Sequence, residues 1–291
     1  MRSSARLGYA LISPAVLLLT AVALIPIAAA LYLSFQKRLP IFQIVRFVGL
    51  ENYRFLAIDP RFWNSLGNTL YFTLLAVTLE LALGLGVALL LDRAFPGRGW
   101  IRAIVLLPWA IPTVVSSRIW EWLYNVEFGL FNSLLTEGGV THGPINWLGD
   151  PFWAMHAAIL IDVWKSAPFV TILLTAALQT IPRELYLAAR VDGAGRWGIF
   201  YHIVLPALRP VILVVLLFRT LDAFRVFDAI YVLTGGGPGN TTETLSIYTY
   251  KVLFQTLQFG YGATLAVAMF FCVVAISLIY FGLLGRERRG A

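Results

Sequence analysis

Apolar residues in this chain run in blocks of about 20 or more, separated by short polar stretches, and that length crosses the hydrocarbon core of a bilayer. Six blocks, at about 9–35, 67–91, 101–124, 154–179, 204–232 and 262–284, read as transmembrane helices. None shows the ten-residue alternation of a barrel strand, so an all-α membrane bundle in one domain, 1–291, is expected. The first block follows Arg2 and Arg6 and contains Ala28-Ala29-Ala30, which imitates a cleaved signal peptide. The run from Leu7 to Phe35 is about twice a signal core in length, so it reads as a span.

Composition agrees. Of 291 residues 59% are hydrophobic and 13% charged, against roughly 25% charged in soluble domains. A soluble domain, a disordered chain and a nucleic-acid-binding domain are thereby excluded. The net charge of +7 sits in short clusters beside the apolar blocks, where it orients helices in a membrane. The single Cys272 lies inside an apolar block, which excludes disulfides and cysteine metal sites. With the N-terminus inside, the cytoplasmic segments hold Arg93, Arg98 and Arg102, then Arg183, Arg190 and Arg196, then Arg286, Arg288 and Arg289. Loop 125–153, outside, has no Lys or Arg. Loop 36–64 disagrees, with Lys37, Arg38, Arg46, Arg54 and Arg61, and is outvoted, so both termini are expected in the cytoplasm.

Two features break the apolar pattern. Prolines interrupt the spans, and the pair Pro108 and Pro112 predicts a bend in the third helix. Ionisable groups also lie within spans, where each costs about 2.5–3.5 kcal/mol by insertion scales. Asp162, Lys165, Ser166 and Phe169 fall at i, i+3, i+4, i+7 and share a helix face. Phe218, Asp222 and Arg225 form a second stripe, with Arg219 and Asp228 nearby, and Trp109 and Thr113 stand one turn apart. Two readings stay open: ion pairs Asp162–Lys165 and Asp222–Arg225 that hold the bundle, or the lining of a polar cavity. Glu80 and Glu121 read as isolated structural groups. An aromatic ring beside hydrogen-bonding side chains suits a sugar, and suits many other polar solutes.

Residues 180–203 are too polar for a span. Pro182 and Gly193 bracket a short helix, with Leu185, Ala188 and Ala189 on one side. So short a helix is not stable alone in water and must pack on the bundle or dock on another protein.

The run Glu184-Leu-Tyr-Leu-Ala-Ala-Arg-Val-Asp-Gly-Ala, followed by Ile203-Val204-Leu205-Pro206, resembles the signature loop of bacterial ABC-importer permeases. Leu106-Leu107-Pro108-Trp109-Ala110-Ile111-Pro112 and Leu233-Thr234-Gly235-Gly236-Gly237-Pro238-Gly239 resemble the carbohydrate branch, the maltose/trehalose permease type. The resemblance covers about 10–285 and implies the type I importer permease fold in a bacterial inner membrane. It implies a second, homologous permease, two ATPase subunits, an extracytoplasmic sugar-binding protein, a di- or oligosaccharide substrate and surrounding lipid. Residues 182–195 would be the coupling helix, with Glu184, Leu187, Ala188, Ala189, Asp192 and Gly193 at the ATPase. The family motif usually begins Glu-Ala-Ala, where this chain has Leu187-Ala188-Ala189. The charge contact of that glutamate is open here, with Glu184 or Asp192 as substitutes. Sugar-contacting positions of the maltose permease match Trp109, Thr113, Asp162, Lys165, Ser166 and Phe169. Past a one-residue gap beside Pro210, two more match Phe218 and Asp222. Residue types at these positions differ enough to argue against simple maltose specificity.

No Gly-x-x-x-x-Gly-Lys-Ser/Thr loop occurs, so no cofactor is expected in this chain, and ATP with Mg²⁺ is expected in the partner ATPases. Gly235-Gly236-Gly237-Pro238-Gly239 reads as a tight turn. The three histidines are scattered, and neither His-Glu-x-x-His nor Gly-x-Ser-x-Gly appears, so an enzyme is not expected. Two alternatives remain: an importer of another solute such as glycerol phosphate, with Lys165 and Arg225 as anion ligands, and a proton-coupled transporter using Asp162 or Asp222.

Overall fold

The computed structural model describes the backbone of residues 2–290 and the side chains of 11–285. Five helical segments are long and apolar enough to cross a membrane. They are Leu11–Ser34, Pro60–Asp92, Pro151–Leu178, Arg196–Leu233 and Phe259–Gly285, and a bent pair, Arg98–Ala110 with Thr113–Leu123, makes a sixth. The spans read from the sequence are thus present, several of them longer than expected. At the start of Pro151–Leu178 the helix reaches past its apolar stretch because a polar residue caps it. Asp150 accepts from the backbone N–H groups of Phe152 and Trp153 at 2.9 and 3.1 Å, and Pro151 follows it.

The chain divides into two units. The first comprises the residues up to Phe62 together with Tyr248–Cys272. It opens with α1 (Arg2–Leu19) and α2 (Ile25–Ser34), joined by a π-helical turn, Thr20–Leu24. The antiparallel hairpin β1 (Gln36–Leu39) and β2 (Ile44–Phe47) follows, with Gln36 opposite Phe47, and then α3 (Glu51–Ile58). A hairpin was not expected in an all-α chain. It fits where it lies because Gln43 takes the left-handed conformation that closes its turn. Asn52 ties this region together by donating to the carbonyls of Ser34 and Gln36 at 2.8 and 3.0 Å. A Cβ on Gly260 would meet the Gln36 carbonyl oxygen at 1.8 Å, so only glycine lets these two backbones approach.

Asp59 anchors the same unit. It accepts from the backbone N–H of Arg61 at 2.9 Å, from the Tyr248 hydroxyl at 2.7 Å and from the Tyr261 hydroxyl. The Arg61 guanidinium stands 4.7 Å from the Tyr248 ring centroid. Burial alone would push the Asp59 carboxyl up. The bonds from Tyr248, Tyr261 and the N–H groups of Arg61 and Phe62 outweigh it and hold the group below the usual carboxylate range.

The second unit spans Trp63–Ile247 and the residues from Val273 on. It contains most of α4 (Pro60–Asp92), α5 (Arg98–Ala110), α6 (Thr113–Leu123), α7 (Leu130–Glu137) and α8 (Pro151–Leu178). After these come α9 (Arg183–Val191), α10 (Arg196–Ile199), a π-helical turn Phe200–Val204, α11 (Leu205–Phe224) and α12 (Asp228–Leu233). Then α13 (Leu245–Tyr250), a further π turn Lys251–Gln255 and α14 (Phe259–Gly290) complete the chain. Helix α8 is the centre of this unit, with Ile159, Ile161, Val170 and Leu174 almost wholly buried. Gly84 of α4 lies against Val170, where a Cβ would fall 2.6 Å from the valine side chain. One cluster packs Trp120, Tyr124, Phe131 and Trp147 around Asn132, whose amide oxygen accepts from the Ile145 N–H and the Trp147 indole, each at 3.0 Å. Gly235, Gly236 and Gly239 all have positive φ, as the expected tight turn requires.

Candidate functional site

The third span breaks where the paired prolines stand. α5 and α6 meet at 99°, with Ile111 and Pro112 between them. Pro112 cannot donate, so the break leaves carbonyls without helical partners, a costly state at membrane depth. Lys165 of α8 resolves it by donating from Nζ to the Ile111 carbonyl. The expected Asp162–Lys165 pair is therefore replaced: one turn of helix points Lys165 to the opened backbone of α5, and Asp162 turns to α11.

Arg219 of α11 is the hub. Its guanidinium makes a two-pronged pair with Glu80 of α4 at 2.6 and 2.9 Å, and reaches Asp162 at 3.3 Å and Asp222 at 3.0 Å. Arg219 and Glu80 are buried, and the Asp222 side chain stays 66% exposed. The expected Asp222–Arg225 pair is present but long, 3.8 Å. Neither isolated acid is isolated: Glu80 belongs to this network, and Glu121 pairs with Arg118 at 2.6 Å. The bundle is thus held by Arg219 with Glu80 and Asp162 rather than by the two i, i+3 pairs, and Asp162 and Asp222 also line a cavity.

That cavity holds about 280 Å³. Trp109 and Thr113 flank the break, Asp162, Lys165 and Ser166 come from α8, and Asp222 with Arg225–Ala229 comes from the end of α11 and the start of α12. Six of the eight residues read as a solute face are therefore together. Phe169 stands outside the lining but packs on Trp109, ring centroids 6.4 Å apart. Phe218, one turn before Asp222, is exposed and does not line the cavity. Sequence reading placed Arg219 and Asp228 near this face but missed Arg219 as the organising group and missed Val226, Phe227 and Ala229. A count of signs was the available signal: Glu80, Asp162 and Asp222 balance Lys165, Arg219 and Arg225.

At the opposite end of α8 lies the short polar helix. α9 is shorter than the expected 182–195, because Gly193 adopts φ +79° and stops it. The N–H of Ala194 bonds the Ala189 carbonyl at 2.8 Å and that of Gly193 the Arg190 carbonyl at 3.1 Å, the paired pattern of a Schellman end. Asp192 caps the helix before it. The sequence left open whether Leu185, Ala188 and Ala189 face the bundle or a partner. Tyr186, packed on the bundle, and Ala189 are the half-buried positions, whereas Glu184, Leu185, Leu187 and Ala188 are exposed. Tyr186 takes the inner side, packed against the cluster that includes Leu178, Ile181 and Val204. Burial, with the nearby Asp92 charge, pushes the Tyr186 hydroxyl up. Val191, 87% exposed one turn after Leu187, extends an apolar outer face that the sequence reading passed over.

A membrane chain with a broken span around a charged cavity, and a Schellman-ended helix projecting beyond it, has the build of a transporter's translocation subunit. The chain belongs to the binding-protein-dependent transport system inner membrane component family, whose model matches residues 80–289. It is 42% identical to the trehalose/maltose transport system permease protein MalF of Thermococcus litoralis, over 98% of this chain and 95% of that protein. It is 39% identical to the sulfoquinovosyl glycerol transport system permease protein SmoG of Agrobacterium fabrum, over 94% and 89%. Its fold matches the crystal structure of a bacterial ABC transporter involved in importing the acidic polysaccharide alginate, with a TM-score of 0.85 and 23% identity over 98% of this chain and 96% of that one.

Proposed function

We propose that this chain is a permease subunit of an ATP-driven importer for a di- or oligosaccharide such as trehalose or maltose. It forms half of the translocation pathway beside a second permease, both termini in the cytoplasm. Solute arrives from an extracytoplasmic binding protein. The sugar rests against Trp109 and exchanges hydrogen bonds with Thr113, Asp162, Ser166 and Asp222, while Phe169 backs the tryptophan and Phe218 borders the path. Two ATPases, holding ATP and Mg²⁺, receive α9 through Glu184, Leu187, Ala188, Ala189, Asp192 and the turn at Gly193. Their closure moves α9 and alternates access to the cavity.

The observation that carries this reading is the cavity itself, where an aromatic face stands beside the exposed Asp222 carboxylate and the largely buried Asp162 at a span's break. It favours a neutral solute over glycerol phosphate, because of the two groups an anion would need Lys165 already donates to the Ile111 carbonyl, and Arg225 donates to the Leu221 carbonyl at 3.1 Å and stands 3.8 Å from Asp222.

The test is co-purification of the tagged chain in mild detergent, followed by uptake in vesicles carrying the recovered assembly. Recovery of an ATPase, a second six-span protein and a binding protein, with ATP-dependent uptake of radiolabelled trehalose or maltose, is the expected result. A chain that emerges alone, with uptake abolished by an uncoupler and indifferent to ATP, would overturn it.

A further inference from the structure

A second pocket lies away from the charged cavity, where the end of α4, the start of α5 and the end of α8 converge. It holds about 230 Å³, below the roughly 300 Å³ at which clefts admit drug-sized solutes. Leu91, Leu106 and Ile172 supply an apolar lining, and Arg102, Thr175 and Gln179 the polar part. Arg102 Nη2 and Thr175 Oγ1 are both buried and both without a hydrogen-bond partner. Arg98, one turn before Arg102 on α5, has a buried Nε in the same condition. Gln179 also lines the adjoining groove, which Arg98, Arg93 and Arg183 border. Among the described residues, neither Arg98 nor Arg102 makes a salt bridge.

Two guanidinium groups a turn apart repel one another, and buried N–H groups without acceptors are costly. Such a pair persists where an anion completes it. Trp100, 79% exposed between the two arginines, marks the level at which aromatic side chains meet lipid headgroups. The exposed residues that follow, Ile101, Ala103, Ile104 and Leu107, are apolar.

We propose that this pocket binds one anionic phospholipid, its phosphate accepted by Arg102, Arg98 and the Thr175 hydroxyl and part of an acyl chain laid on Leu91, Leu106 and Ile172. Basic pockets between spans at the cytoplasmic side are the places where such headgroups are held. The site is separate from the solute cavity, and the inference does not depend on which solute is carried.

Native mass spectrometry of the delipidated transporter assembly tests it, with phosphatidylglycerol, phosphatidylcholine of the same chains and inorganic phosphate as probes. Phosphatidylglycerol should bind roughly tenfold or more tightly than phosphatidylcholine, whose quaternary ammonium offsets its phosphate charge and is repelled by the two guanidinium groups. Inorganic phosphate should not displace it. Arg102→Gln should abolish that preference and Arg102→Lys restore part of it. Thr175→Val, which leaves the charge untouched, removes one donor to the phosphate and should weaken both lipids several-fold with the preference kept, and it serves as the reading if Arg102→Gln does not assemble. Equal binding of the two lipids, displacement by free phosphate, unchanged affinity in Thr175→Val, or an unchanged preference in Arg102→Gln would overturn the proposal. Loss of the ATPase from Arg102→Gln with lipid preference intact would overturn it as well, by assigning the arginine to a protein carboxylate.

Discussion

Arg219 and Glu80, 139 residues apart, form a two-pronged ion pair at 2.6 and 2.9 Å between α11 and α4, with both side chains almost fully buried. The same guanidinium holds Asp162 and Asp222, so the pair that locks two spans together also sets the carboxylates that face the cavity. A buried charge left without its partner costs about 3–5 kcal/mol. Arg219→Met strands the buried Glu80 carboxylate and the largely buried Asp162, whereas Glu80→Gln leaves the guanidinium with two carboxylates. The expected order of thermal midpoints in detergent is therefore wild type, then Glu80→Gln, then Arg219→Met lowest. A Glu80→Gln protein as unstable as Arg219→Met would show that the other two contacts contribute little.

The cavity predicts a separation between binding and assembly. Trp109→Ala removes the ring face and should weaken solute by about 0.5–1.5 kcal/mol, roughly a three- to tenfold rise in KM, with Trp109→Phe closer to wild type. Asp222→Ala should also impair uptake, while both variants retain the ATPase on purification. Unchanged transport kinetics in Asp222→Ala would remove that residue from the solute path.

The outer face of α9 predicts a separation in the other direction. Val191→Asp places a charge on the exposed apolar stripe without touching Tyr186, which holds the helix to the bundle. Gly193→Ala forces a side chain into φ +79°, a strain of about 1–2 kcal/mol. Both should keep solute binding and lose ATPase stimulation, Val191→Asp by detachment and Gly193→Ala in part. Solute-stimulated ATP hydrolysis at the wild-type rate in Val191→Asp would exclude this face from docking.

How much of this was legible follows from what each residue signals locally. The spans were, since twenty apolar residues admit few other fates in a bilayer. The bend at Pro108 and Pro112 was too, because a missing donor acts within one turn. Local spacing misled at Lys165 and Asp162, which sit i, i+3 yet find partners on α5 and α11, on helices whose approach no spacing reveals. Tyr186 illustrates a second limit. The periodicity of α9 allows either side to face inward, and the choice is made by the bundle surface against which it packs. The hairpin 36–47 has neither a long apolar run nor a strong turn pair to announce it, and its alternation is short.

Asp59 supplies the pH dependence. Its folded carboxyl lies below the ordinary value of 3.8, because the bonds from Tyr248, Tyr261, Arg61 and Phe62 outweigh its burial. A group depressed on folding binds fewer protons in the folded state than in the unfolded one, so stability rises with pH across its titration. The contribution of Asp59 is therefore complete above the unfolded value near 3.8 and declines as pH falls through the lower, folded value. Asp59→Asn keeps the shape and the N-cap acceptor but has no charge to lose. The midpoint of wild type should exceed that of Asp59→Asn at pH 6, and the difference should shrink steadily as the pH is lowered below 4. Thermal melts of both proteins at each pH, in the same detergent, read this directly. A difference that stays constant from pH 6 downward would mean that shape and neutral hydrogen bonding at Asp59, rather than its ionisation, hold the start of α4 against Tyr248 and Tyr261.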